Sequence, residues 1–142
     1  MALRSFELFM MMIPVEIKKS EIHGLGIFAL KPIRKGAVLW AFYPGLDRTV
    51  SDYAVKFAEP RKRAFIMERG YLNPKNSHWV ICCDESQFWN FPRNGDQANC
   101  VLGNEQDGEN LILAACDIGA GEELTICPES DADYKRKVED RK

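Results

Sequence analysis

Gly24 and Gly26, one residue apart, are the first candidates for chemistry in this 142-residue chain. With no Cβ at either position, the backbone between them can approach a ligand and offer amide and carbonyl groups, as the polar end of a cofactor requires. A plain turn between two strands would use the same residues. Asn90 and Asn99 carry side-chain amides, and loop asparagines commonly satisfy their own backbone. His23 and His78 have no partner at a spacing that suits a histidine-based mechanism. The five cysteines, Cys82, Cys83, Cys100, Cys116 and Cys127, form no CxxC pair and have no nearby histidine to complete a zinc site, so no metal is expected. Reduced, mostly buried thiols are the reading, and with them an intracellular, cytoplasmic location, or a nuclear one in a eukaryotic or viral setting.

Charge narrows the partners. The net charge is −2, yet residues 94–134 hold ten acidic side chains and no Lys or Arg. That stretch has no cation to offer phosphates, which argues against nucleic acid there and suits a basic ligand. The apolar run at 8–13, which includes Met10, Met11 and Met12, is far shorter than the roughly 20 residues of a membrane span and lacks a cleavage site. It reads as part of an amino-terminal arm, residues 1–13, with no membrane role.

The elements that must position these residues are short. Alternation and glycine turns predict strands at 15–18, 26–30, 37–43 and 79–83, and a strand pair at 111–116 and 123–127 joined through Gly119 and Gly121. Residues 51–69 read as a helical insertion, capped by Ser51 or Asp52 and divided by Pro60. Trp40, Trp79, Trp89 and the phenylalanines read as interior packing, and Arg61-Lys62-Arg63 as a solvated helix face. The main domain spans 14–128, its insertion about 51–70, and residues 129–142 form a charged tail, either a short helix or a disordered end.

Three ordered blocks carry a resemblance. Ser20-Glu21-Ile22-His23-Gly24-Leu25-Gly26-Ile27-Phe28-Ala29 leads to Ile33-Arg34-Lys35-Gly36 and Tyr43-Pro44-Gly45. Phe88-Trp89-Asn90-Phe91-Pro92 and Ala98-Asn99-Cys100 follow, and Ala115-Cys116-Asp117-Ile118-Gly119-Ala120-Gly121-Glu122-Glu123-Leu124-Thr125 closes the series. Together they resemble the SET-domain family of protein-lysine methyltransferases that use S-adenosylmethionine. The resemblance implies a mainly β, SET-type fold of several short sheets with a knot-like core and a helical insertion. It also implies cofactor binding by His23, Gly24, Leu25, Gly26, Asn90 and Phe91. Tyr43 and Tyr71 stand where the family lines its lysine channel and substrate groove, and Tyr134 could fold back as a channel wall. The implied partner is a lysine-bearing protein or basic peptide.

Methyl transfer from a sulfonium to lysine is an in-line displacement, so the enzyme's task is positioning, with amine and methyl roughly 3–3.5 Å apart. The amine must be neutral, and an apolar channel favours that form by desolvation. The sequence departs from the family pattern at two places. Pro128 occupies the position of a tyrosine, and proline has no hydroxyl with which to orient the nitrogen. Phe91-Pro92 stands for His-Ser. These departures admit a second reading, a catalytically silent module that binds cofactor or a basic peptide.

Overall fold

The computed structural model describes residues 11–141. Three small sheets, each of three antiparallel strands, enclose one core. In the first, β1 (Val15–Lys19) and β2 (Leu25–Ala29) form a hairpin with Val15 opposite Ala29 and Lys19 opposite Leu25. The connecting turn closes because Ser20 N donates to Gly24 O at 2.8 Å while the Ser20 hydroxyl accepts from Ile22 N at 2.9 Å. β9 (Glu123–Leu124) pairs with the other edge of β2, which brings the third sequence block beside the first.

The second sheet has the order β3 (Val38–Trp40), β8 (Glu109–Ala114), β7 (Cys100–Gln106). β7 and β8 meet at Asp107-Gly108, where φ is 54° and 86°, the backbone that a two-residue hairpin turn needs to match strand twist. The third sheet places β6 (His78–Ile81) between β4 (Arg48–Ser51) and β5 (Tyr71–Leu72). Between β4 and β5 stand α1 (Asp52–Lys56), capped by the Ser51 hydroxyl, and α2 (Pro60–Arg69), with proline in the first turn, where the missing N–H costs nothing. A Cβ at Gly70 would meet the Ile66 and Val80 carbonyls at 2.8 Å, so only glycine lets α2 end against β6.

Three expectations need correction. The strand expected to run to residue 43 ends at Trp40. The expected strand pair does not form, because its members join different sheets: β8 pairs with β3 and β7, β9 with β2. The reason lies in the connection. Ile118 exchanges two backbone hydrogen bonds with Ile33, both 2.8 Å, and Asp117 accepts from Lys35 N, so the chain crosses over instead of turning back. Finally, Trp40 and Trp79 are core residues at 1% exposure, but Phe57 and Phe65 are 75% and 52% exposed, because α1 buries only Val55 and α2 buries nothing.

Of the amino-terminal arm, residues 1–10, including the first half of the apolar run, lie outside the described residues. Met11 is buried in the core, and Met12 N donates to Leu39 O at 2.9 Å. Residues 134–140 form α3 (Tyr134–Asp140), which packs back onto the domain through Tyr134 and Val138.

Candidate functional site

The glycine turn is held from beneath. A Cβ on Gly26 would lie 2.3 Å from Glu123 Oε2 and 3.2 Å from Asn90 Nδ2, so these two polar side chains occupy the space a larger residue would fill. Asn90, 2% exposed, donates from Nδ2 to His23 O at 3.0 Å, Leu25 O at 3.1 Å and Glu123 Oε2 at 2.8 Å. With two N–H groups facing three acceptors, one hydrogen is shared, and the arrangement fixes the orientation of the amide. Ser20 Oγ completes the hub by donating to the Glu123 carboxylate at 2.7 Å. At Gly24, φ is +48° and an added Cβ would meet nothing within 4 Å, so the turn presents bare backbone to open space. His23 Nε2 stands 3.5 Å from Glu68 of α2, which ties the turn to the insertion.

The chain after β9 threads between two earlier segments. Ile126 N donates to Asn90 O at 3.0 Å on one side; on the other, Cys100 N donates to Thr125 O and Cys127 N to Cys100 O. Asn99 clamps this crossing, donating to Glu123 O and accepting from Thr125 N, both at 2.8 Å. This is the knot-like centre. It places Asn90, Asn99 and Glu123 within one hydrogen-bonded group. Glu123 is one of three acids from the 94–134 stretch that turn inward, with Glu109 and Asp131, so that stretch is partly internal and not wholly a charged surface.

A cavity of about 60 Å³ lies behind Trp89 and Phe91, bounded by Trp40, Tyr71 and Glu109 and by Lys137 of α3. Tyr71 is half-buried and donates its hydroxyl to Glu109 Oε1 at 2.5 Å. Burial, and then that carboxylate, push its phenol well above the ordinary range. Phe91 is 7% exposed and meets Tyr134 edge-on, with ring centroids 4.7 Å apart. The structure thus brings Tyr71 and Phe91 to one cavity, and Tyr134 to the back of Phe91. Tyr43 is not among the lining residues; it is 63% exposed, and its backbone N–H is held by Asp47 at 2.7 Å. Pro128 opens a tight 3-10 turn over Pro128–Ser130. That turn delivers Asp131 to a buried ion pair with Lys137 at 2.6 Å, and Lys137 also donates to Gly70 O.

Sequence reasoning missed Glu123, Glu109 and Asn73, whose Nδ2 donates to Glu109 Oε1 at 2.8 Å, as members of these groups. The Asp107-Gly108 dipeptide could have announced the β7–β8 hairpin and hence an inward-facing residue beside it. Nothing in the sequence separates Glu109 from the other acids of its stretch. All five cysteines are free; Cys82, Cys100 and Cys127 are buried, and burial raises their thiol pKa values, which disfavours thiolate chemistry. Among the described residues no helix is long and apolar enough to cross a membrane.

Residues 24–127 match the family model of the SET domain. No curated protein matches the chain. Among solved structures, the chain is similar to a Plasmodium falciparum protein assigned as a histone methyltransferase, with a TM-score of 0.57 and 17% identity over 81% of this chain and 92% of that one. At that identity the likeness concerns the fold.

Proposed function

The chain belongs to the SET-domain family, and on that premise we propose that it is an S-adenosylmethionine-dependent protein-lysine N-methyltransferase. The observation that carries this reading is the bare backbone at Gly24, held open over the Asn90–Glu123 hub, because a side-chain-free turn on a rigid base fits a cofactor with polar groups. When bound, S-adenosylmethionine supplies an electrophilic methyl group. The chain's own residues do the positioning: the 23–26 turn lies against the cofactor, Asn90 keeps that turn in shape, and Phe91 forms an apolar wall. Tyr71 shapes the space for a lysine side chain, Tyr134 backs the Phe91 wall from behind, and Tyr43 meets the substrate at the surface. A lysine-bearing protein or basic peptide is the substrate, and an intracellular location, cytoplasmic or nuclear, goes with it.

Pro128 favours a second reading. The tight turn it opens puts no hydroxyl at the position where the family has a tyrosine, so a module that binds cofactor or a basic peptide without turnover has a specific residue in its support. Calorimetric titration with S-adenosylmethionine and its demethylated product tests the common ground: heat with a saturable isotherm is expected, and none from either ligand overturns both readings. Incubation with methyl-labelled cofactor and a lysine-rich protein mixture separates them. Label on lysine is the expected result, and cofactor binding without transfer leaves the silent module.

A further inference from the structure

The helical insertion has an outer side that the proposed reaction does not use. Tyr53, Phe57 and Phe65 are 74%, 75% and 52% exposed there, and the Tyr53 and Phe57 rings lie together on α1 with centroids 4.9 Å apart. None of the three is needed to hold the insertion in place. Val55 is buried, Asp52 accepts from the Trp79 indole at 3.0 Å, and Arg63 closes the corner between α1 and α2 by donating to Ala58 O at 3.4 Å. Phe65 and Ile66 line an open groove of about 520 Å³ together with Glu59, Arg61 and Lys62. Of the five cations in the insertion, three are engaged: Lys56 with Asp52 at 3.2 Å, Arg63 as above, and Arg69 over the Phe88 ring at 4.6 Å. Arg61 and Lys62 are exposed at the groove and have no ion pair or hydrogen bond among the described residues. Single exposed apolar side chains are ordinary, but three aromatic rings beside two unengaged cations make a contact surface.

We propose that the outer side of the insertion docks an acidic segment of a partner protein. An apolar side chain of that segment sits in the groove against Phe65 and Ile66, and its carboxylates pair with Arg61 and Lys62. Charge complementarity sets the class of partner. A basic substrate is repelled by these two cations, so the occupant is a second protein and not the substrate. A polyanion fits less well than a peptide does. Glu59 stands among the lining residues and repels a continuous row of phosphates, whereas a peptide can turn a backbone N–H to it. Two unengaged cations are also few beside the roughly six to ten phosphate contacts that hold a protein on DNA. An anionic bilayer has no side chain with which to fill the groove.

The test titrates the isotope-labelled full chain with capped peptides and follows its backbone amide signals. Glu-Asp-Leu-Phe-Asp-Glu is the probe. Gln-Asn-Leu-Phe-Asn-Gln keeps the apolar residues without the charge, and Glu-Asp-Ser-Ser-Asp-Glu keeps the charge without the apolar residues. The expected result is a set of shifts centred on 59–66, with the probe bound at least about tenfold more tightly than either control. The double substitution Arg61→Glu, Lys62→Glu should abolish the preference over the neutral peptide, and Phe65→Ser the preference over the serine peptide. Equal affinity for the three peptides, shifts confined to other segments, or undiminished preferences in the variants overturn the proposal. None of the α2 side chains is fully buried, so both variants are expected to fold; if one does not, the peptide comparison on the wild-type protein decides by itself. A short oligothymidylate and phosphatidylserine vesicles are run in parallel. Shifts at 59–66 from either of these, with none from the probe, overturn the acidic-protein reading.

Discussion

The hub beneath the glycine turn and the cavity behind Phe91 are both built from buried and half-buried polar side chains, yet they differ in what those side chains are bonded to. In the hub, Asn90, Asn99, Ser20 and Glu123 meet one another and the backbone, and each donor has its acceptor within the fold. Around the cavity, Glu109 meets only neutral donors and the Trp40 indole meets no acceptor among the described residues. A satisfied network holds the fold in one shape, whereas a buried polar group without a matched partner adds nothing to that hold. Substitutions in the hub should therefore lower stability, and Glu109→Gln should leave stability intact.

The largest effect is expected where the cavity is closed. Lys137→Met would strand Asp131, 4% exposed, as an unpaired buried carboxylate and detach α3 from Gly70, at a cost of about 3–5 kcal/mol in urea denaturation. Adding Asp131→Asn should recover much of the loss. If the single variant were as stable as the wild type, the ion pair would not be what secures the cavity wall.

Asn90→Ala comes next. It deprives two carbonyls and the Glu123 carboxylate of their donor and should cost about 3 kcal/mol. Cofactor affinity should also fall further than in His78→Ala, since His78 is exposed on β6. A stable Asn90→Ala protein with weakened cofactor binding would erase the contrast, because Asn90 would then act on the ligand and not through the turn.

Much of the hub was legible in the sequence, and the cavity was not. Gly24, Gly26, Asn90 and Asn99 stood out because backbone without side chains and amides in loops are read from residue type and order. Short strands with turn residues likewise announced β1, β2 and the insertion divided at Pro60. The partners of the strands were hidden, since what decides them is the long-range pairing of Ile33 with Ile118, which no local pattern encodes. Glu109 and Asp131 were hidden for the same reason. A carboxylate in an acidic stretch looks solvated until tertiary packing turns it inward, and their burial depends on Tyr71, Asn73 and Lys137, 6 to 38 positions away in the chain.

A smaller effect is expected from Tyr71→Phe. One of the two donors to Glu109 is lost while Asn73 remains, so the cost should be about 1 kcal/mol. The phenol adds a pH signature. Its pKa is raised from 10.0 in the folded state, so its contribution is whole below pH 10 and is lost as pH climbs toward the raised value. Wild-type protein should therefore lose stability between pH 10 and 11 that the variant keeps. Identical profiles would mean that the phenol is not held in its buried position against the carboxylate.

Glu109→Gln should have the smallest effect on stability and says most about the difference between the two regions. Glutamine keeps the shape, and its carbonyl oxygen still accepts from Tyr71 and Asn73, so both hydrogen bonds at Oε1 survive. What disappears is a negative charge held at 4% exposure with neutral partners, and removing it should leave stability unchanged or raise it by up to about 1 kcal/mol. The new amide nitrogen needs an acceptor, which a water in the cavity can supply. A charge whose removal does not weaken the folded chain is not retained for folding. A loss of 2 kcal/mol or more in urea denaturation would instead place Glu109 with Asn90 and Glu123, as another polar group consumed by the fold.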